Sequence, residues 1–521
     1  MKPTSRTIRV LFATLLVISV ASGIAERVKT SNLDSANFLS FVDKQNLISP
    51  LESDYAATND GLKDLITAKP SEVCAVIAQS NYTPRHFFRQ HPYILATIIS
   101  ASGWLIPVPT NWLAGIWLGV SMVGGLLAIY VFLRKLKIPI APTLLFLITV
   151  SVFPVFSNAY MGQIYMDILM FGPATALVLS IWWMKNQSTS IWRWVVLLTV
   201  LLGSISERGA YLAGLIGFGY SLLLFGKNMF YKREILYVSL SGLTMSLWGF
   251  VWFKFIMINR DYQGKSYRDA LARLGGLLDE PVRPMFIIFL STSLIFLCLT
   301  LFSGRAILIT LGALTPTLLV STGGAELSGF YTHYHQTYLP VLVATAVIGF
   351  VRINLWVKFS NPTIRQGVSI TLGIALLVIS LFNWTHFGQK ASIKQLTFDS
   401  KYVLLPKTLN NYTNADVGIQ RLKELTDYLE TLNPKTISGG ESIMPALFLA
   451  GFKDVEYWPV GVGVADVVVA PMDGGSPNVY PFGDWWGNGE ELRACTMSHL
   501  ETEYQLVRQF ENYGVYQKQG G

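Results

Sequence analysis

The stretch LLAIYVFLRKLK, Leu126 to Lys137, carries an apolar run straight into three basic residues, Arg134, Lys135 and Lys137. The same ending recurs along the chain. Basic groups fall at 185–193, at 227–233, at Arg305 and at 352–365, each beside a hydrophobic run. The connections between these groups are different. They carry Asp167, then Glu207 and Arg208, then a basic stretch from Arg260 to Arg283, then Glu326 through His335. Short basic loops resist translocation and stay in the cytoplasm. The two loop classes therefore alternate across a bilayer, with a plain basic collar inside and a chemically richer face outside.

Composition agrees with this reading. Of 521 residues, 51% are hydrophobic and only 14% charged, and the mean hydropathy is +0.43. A soluble domain carries about 25% charged residues, so the chain is a polytopic membrane protein. The net charge of +8 sits at helix ends rather than on one soluble face, which argues against a nucleic-acid partner. Three cysteines, Cys74, Cys298 and Cys495, have no metal-ligand spacing. They read as inert thiols, or as a Cys74–Cys495 disulfide if both lie outside.

The spacing predicts about eleven spans, near 8–24, 111–133, 139–156, 166–184, 191–206, 209–226, 235–255, 285–303, 305–321, 336–352 and 367–385. The first follows a basic start like that of a signal peptide and is read as an uncleaved span with a cytoplasmic N-terminus. Residues 92–108 are apolar but short. Were they to cross, every later basic loop would be inverted, so they are read as an outer re-entrant or interfacial helix. The membrane domain is thus 1–389, with a large outer loop at 25–110. Residues 390–521 alternate strand-like and helix-like segments and predict a small extracytoplasmic α/β domain. Its strands are expected near 436–438, 455–457, 466–470, 503–509 and 513–517, and its helices at 417–432, 441–451 and 489–499. Gly439-Gly440 lacks the spacing of a phosphate-binding loop, and an ordinary turn is the simpler reading.

Ionisable groups at a membrane edge are costly, which makes the outer face the place to look for function. Asp167 can bind a metal or position a hydroxyl, or it can be a helix-start acid favoured by the dipole. Glu207-Arg208 suits either a structural ion pair or an arginine that clamps a lipid-linked phosphate. His333 and His335 open another span. Neighbouring residues on a helix diverge by about 100°, so they do not make a helical metal face, and hydrogen bonding to phosphate or carboxylate fits them better. The outer stretch from Tyr262 to Arg283, with Arg268, can neutralise a diphosphate or a lipid headgroup, or can be a solvated loop. In the first outer loop Asp43 and Asp54 are the leading candidates for a general base.

The order of parts carries a resemblance. A first span and an acidic outer loop precede RQHPYILA with His91-Pro92; then come LRKLK, SERGAYLAG, THYHQTYLPVL, and the terminal SGGESIMPALFLAGFKDVEYWPV and ADVVVAP. Over nearly the whole chain this resembles the GT-C superfamily of polyprenol-dependent membrane glycosyltransferases, and more closely a prokaryotic family of GT-C-like membrane proteins. Two departures stand out: arginine is second in Glu207-Arg208, and the Phe-Asp type pair near the first span reads Phe38-Leu39. The resemblance implies inverting transfer at the outer face of the plasma membrane from a polyprenyl-phosphate-linked sugar to a lipid or glycan acceptor. Asp43 or Asp54 would be the base. Substrate-binding residues would be His91, Asp167, Glu207, Arg208, Arg268, His333 and His335. A divalent metal (Mg or Mn) is possible through Asp43, Asp54 or Asp167. A transporter or flippase of a lipid-linked or anionic substrate stands as an alternative, as does a non-catalytic membrane scaffold.

Overall fold

The computed structural model describes residues 38, 42, 69–78, 94–151, 153, 156, 165–256, 282–319, 333–358, 368, 371–376, 378, 419–440, 443, 447, 450–452, 454–471, 489–510 and 513–520. In chain order the helices used below are α1 (Val73–Ile77), α2 (Ile94–Ser102), α3 (Thr110–Lys135), α4 (Ile140–Ser151) and α5 (Phe171–Asn186). Then follow α6 (Trp192–Gly203), α7 (Glu207–Phe225, with a π-helical middle), α8 (Arg233–Val251), α9 (Val282–Leu301), α10 (Ile307–Leu319) and α11 (Leu339–Lys358). The terminal part holds α12 (Ile419–Leu432), β1 (Thr436–Gly439), β2 (Asp454–Tyr457), β3 (Val467–Pro471), α13 (Gly489–Glu503), β4 (Tyr504–Phe510) and β5 (Tyr513–Lys518). Two compact units result. One holds the described residues of 91–96 and 115–408, the other those of 29–90, 97–114 and 409–521.

The first unit is a helical bundle. Five segments among the described residues are long and apolar enough to cross a bilayer: Trp112–Lys135, Met166–Asn186, Glu207–Phe225, Arg233–Val251 and His335–Val357. The apolar helices at 140–151, 189–203 and 304–315 are shorter. The expected span at 8–24 lies outside the described residues, and that at 367–385 is described only in part. Helix α2 has nine residues, about 13 Å of rise against about 30 Å of hydrocarbon. As a helix it is too short to cross. Beyond it Trp104 and Leu105 are 67% and 86% exposed, which suits a segment at an interface.

In lipid, helices associate through close packing and internal hydrogen bonds rather than by burying surface from water. The bundle uses both. Gly172 of α5 lies against α3 so closely that a Cβ there would come 2.4 Å from the Ser121 carbonyl oxygen. Ser121 Oγ secures the crossing by donating to Leu169 O at 2.7 Å and accepting from Gly172 N at 3.2 Å. Three buried threonines join α9, α10 and α11. Thr345 Oγ1 lies 3.1 Å from Thr300 Oγ1 and 2.7 Å from Thr310 Oγ1.

The second unit contains a five-stranded sheet in the order β2-β1-β3-β5-β4. Strand β1 pairs parallel with both β2 and β3, while β3–β5 and β5–β4 are antiparallel. Both faces are covered, which explains why β3 reads as an unbroken apolar run. Val467 and Val469 pack with Leu425 and Leu429 of α12, while Val468 and Ala470 pack with Trp458 and with Leu500 of α13. The strands fall within a residue or two of the expected positions; most of the helix expected at 441–451 lies outside the described residues. The cysteines settle into the second of their two readings. Cys74 of α1 and Cys495 of α13 form a disulfide with a Cα–Cα distance of 5.4 Å, and Cys298 is free. Val73, Ile77, Val460 and Leu492 close an apolar cluster beside it.

Candidate functional site

Three helix starts in the bundle pack on one another: the 3₁₀ turn Met166–Met170 before α5, the first turn of α7, and the 3₁₀ turn His333–Thr337 before α11. Each follows a connection of the second loop class, so a polar stretch of sequence feeds each turn. The turns bring together Asp167, Ser206, Arg208 and the buried His335 and Gln336.

Asp167 is 2% exposed and accepts from two groups. Ser206 Oγ donates to Asp167 Oδ1 at 2.8 Å, and Arg208 Nη1 donates to Asp167 Oδ2 at 2.6 Å. Ser206 is also the N-cap of α7, where its Oγ accepts from Gly209 N at 3.2 Å. One hydroxyl thus spends its donor on the carboxylate and an acceptor on the helix end. Arg208 stands in the first turn of α7, where a cation opposes the helix dipole. Asp167 offsets that cost. The Arg208 side chain retains 23% exposure, so the pair is not sealed from its surroundings. The ion pair of Arg208 at 2.6 Å is with Asp167, 41 residues away, rather than a contact internal to Glu207-Arg208.

His335 is 6% exposed and its Nδ1 lies 2.8 Å from the hydroxyl of Tyr338, with the rings edge to face at 5.6 Å. His333 opens the same turn. The start of α2 also reaches this region: Leu95 N donates to Ser204 O at 2.9 Å, two residues before Ser206. That bond ties RQHPYILA to the turn just before SERGAYLAG, across more than 100 residues of chain.

Asp167, Arg208 and His335 therefore lie on three turns that pack on one another, and Glu207 begins the helix that carries Arg208. Asp43, Asp54, His91 and Arg268 lie outside the described residues. Ser206, Gln336 and Tyr338 were not among the sequence candidates. The serine had a signal, being a cap-type residue just before a helix start; the glutamine had none. Among the described residues no group of three His, Cys, Asp or Glu side chains gathers to hold a metal ion. Asp167, with both oxygens already engaged, is a poor start for one.

No protein-family model and no curated protein sequence matches the chain. The fold does match a solved structure, that of ArnT from Cupriavidus metallidurans bound to undecaprenyl phosphate. The TM-score is 0.54 at 12% identity, and the match covers 98% of each chain. A likeness of this extent gives the chain the overall fold of that protein.

Proposed function

We propose that the protein is a membrane glycosyltransferase of polyprenyl-phosphate-linked sugars, acting at the extracytoplasmic face of the plasma membrane. The observation that carries this reading is the Asp167–Arg208 pair, set where three helix starts meet in a bundle with the fold of an undecaprenyl-phosphate-bound protein. A guanidinium held by a carboxylate, its side chain 23% exposed, suits the phosphate of a lipid-linked donor. In the reaction an acceptor hydroxyl on a lipid or glycan attacks the anomeric carbon from the face opposite the phosphate. The bond from that carbon to the phosphate oxygen breaks, and the polyprenyl phosphate leaves with the electron pair. A first-loop carboxylate, Asp43 or Asp54, takes the acceptor's proton. Arg208, with Arg268, His335 and His91, would oppose the charge that develops on the departing phosphate, the main electrostatic contribution to such a transfer.

The Cys74–Cys495 disulfide supports an oxidising compartment for the second unit, and with it an extracytoplasmic terminal domain and a cytoplasmic N-terminus. A transporter would carry its charges near the bilayer midplane between broken helices. Asp167, Arg208 and His335 instead stand at helix starts, which favours the enzyme. The test is turnover of radiolabelled polyprenyl-phosphate sugars by purified protein beside Asp43→Asn, Asp54→Asn and Arg208→Gln. Loss of transfer in one Asp variant and weakened donor binding in Arg208→Gln are expected. Absence of turnover with every donor, given folded protein and a lipid acceptor, would refute the reading.

A further inference from the structure

Within the cluster, Asp167, Ser206 and His335 each have a hydrogen-bonding partner. Gln336 differs. Its side chain is only 2% exposed and its Oε1 is fully buried, yet that oxygen has no partner. Turning the amide over does not help, because a buried NH2 would then be the unmatched group. An unmet polar atom in a low-dielectric interior is costly, and a role in binding or catalysis is one reason a native protein keeps such an atom. The turn that carries Gln336 is packed against by the Asp167 turn, by α7 and by α10. The orphan atom therefore sits within the assembly that holds the Asp167–Arg208 pair.

The chemistry of a carboxamide narrows what that partner is. It is neutral and presents an acceptor and two donors side by side. Phosphate oxygens accept only; they suit Arg208 and are repelled by a carbonyl. A polyprenyl chain has nothing to offer. A sugar hydroxyl both donates and accepts, and it can satisfy the buried oxygen while taking a bond from the amide nitrogen.

We infer that Gln336 is a sugar-reading residue of this site, its carboxamide hydrogen-bonded to a hydroxyl of the glycosyl group while Arg208 holds the phosphate. This rests on the glycosyltransferase reading above and divides the donor between two residues. Discrimination follows from it, since a site that leaves a buried acceptor empty rejects a ligand lacking the matching hydroxyl.

The experiment measures binding of undecaprenyl phosphate and of its glucose, mannose and galactose derivatives to the purified full chain. Wild type, Gln336→Met and Arg208→Gln are compared, with Gln336→Leu in reserve should the methionine variant not fold. Wild type is expected to bind at least one sugar-bearing lipid more tightly than the bare phosphate. Gln336→Met is expected to lose about tenfold for that lipid and under about twofold for the bare one. Arg208→Gln is expected to weaken both alike. With the orphan acceptor removed, Gln336→Met without ligand should unfold at the same temperature as wild type or a higher one. If wild type binds neither class of lipid, the glycosyltransferase reading fails and this inference with it. If wild type binds them but shows no preference for sugar, or Gln336→Met keeps that preference, the inference alone is overturned and the atom's partner is a trapped water.

Discussion

Replacing Arg208 by methionine would leave the Asp167 carboxylate, 2% exposed, held only by the hydroxyl of Ser206. Removing one partner of a buried ion pair costs about 3–5 kcal/mol, because the remaining charge is stranded away from water. The surviving serine bond places the expected loss at the lower end, about 3 kcal/mol. Asp167→Asn is the milder change. It takes the carboxylate from the arginine, but a guanidinium with 23% exposure reaches solvent, so about 1–2 kcal/mol is expected. The double variant has no stranded charge and should be more stable than Arg208→Met alone, with a coupling of about 2–3 kcal/mol. Thermal unfolding in mild detergent reads the order: Arg208→Met lowest, the double variant above it, Asp167→Asn above that. Donor binding should behave differently and stay impaired in the double variant, since restored stability does not restore a cation. Equal melting of Arg208→Met and wild type, or strict additivity in the double variant, would refute the argument that the pair is energetically one unit.

Other consequences are as direct. A Cβ at Gly349 would come 1.8 Å from the Leu299 carbonyl oxygen, whereas one at Gly124 meets nothing within 4 Å. Gly349→Ala should therefore destabilise by about 2–4 kcal/mol and Gly124→Ala should be neutral or stabilising by up to about 1 kcal/mol, both read by thermal unfolding. With three cysteines and one disulfide, the denatured unreduced chain should take up one maleimide and the reduced chain three, counted by mass. Cys74→Ser should lower the stability of the terminal unit by about 2–5 kcal/mol, seen as earlier proteolysis of that unit. Tyr504 is buried and donates to the carbonyls of Val462 and Ala465, and burial raises its hydroxyl above the usual 10.0. The folded state then holds its proton longer than the unfolded one, so its contribution is complete below pH 10.0 and declines as pH rises beyond it. Tyr504→Phe should flatten that alkaline decline in a pH series of unfolding curves.

The elements that could be read from the chain are those fixed by one-dimensional patterns. The basic ends of α3 and α5 mark the collar, and the brevity of α2 follows from the same rule applied to its neighbours. Strands β3 and β5 were visible because apolar residues on both faces of a covered sheet leave an unbroken run or a tight alternation. The disulfide stayed conditional for a clear reason: 421 residues separate the two cysteines, and no local pattern spans that distance. Charge likewise picked out Asp167, Arg208 and His335 one at a time, since each is expensive at a membrane edge wherever its partner lies. Their pairing is a property of three helix starts meeting and has no signature in sequence spacing.

The uncharged residues beside that pair carry no such mark in the sequence. Ser206 looks like a helix cap and nothing more, yet the same oxygen that caps α7 also fixes Asp167. Its two tasks are coupled. The orientation of the carboxylate depends on where α7 begins, and the first turn of α7 is where Arg208 is carried. A change at Ser206 is therefore a change to the arginine at one remove. Ser206→Ala would take a bond from Asp167 and from the helix end together, while Ser206→Thr would keep both. The difference between those two variants in donor affinity, set against their difference in unfolding temperature, isolates how far the position of Arg208 matters apart from the stability of the helix that bears it.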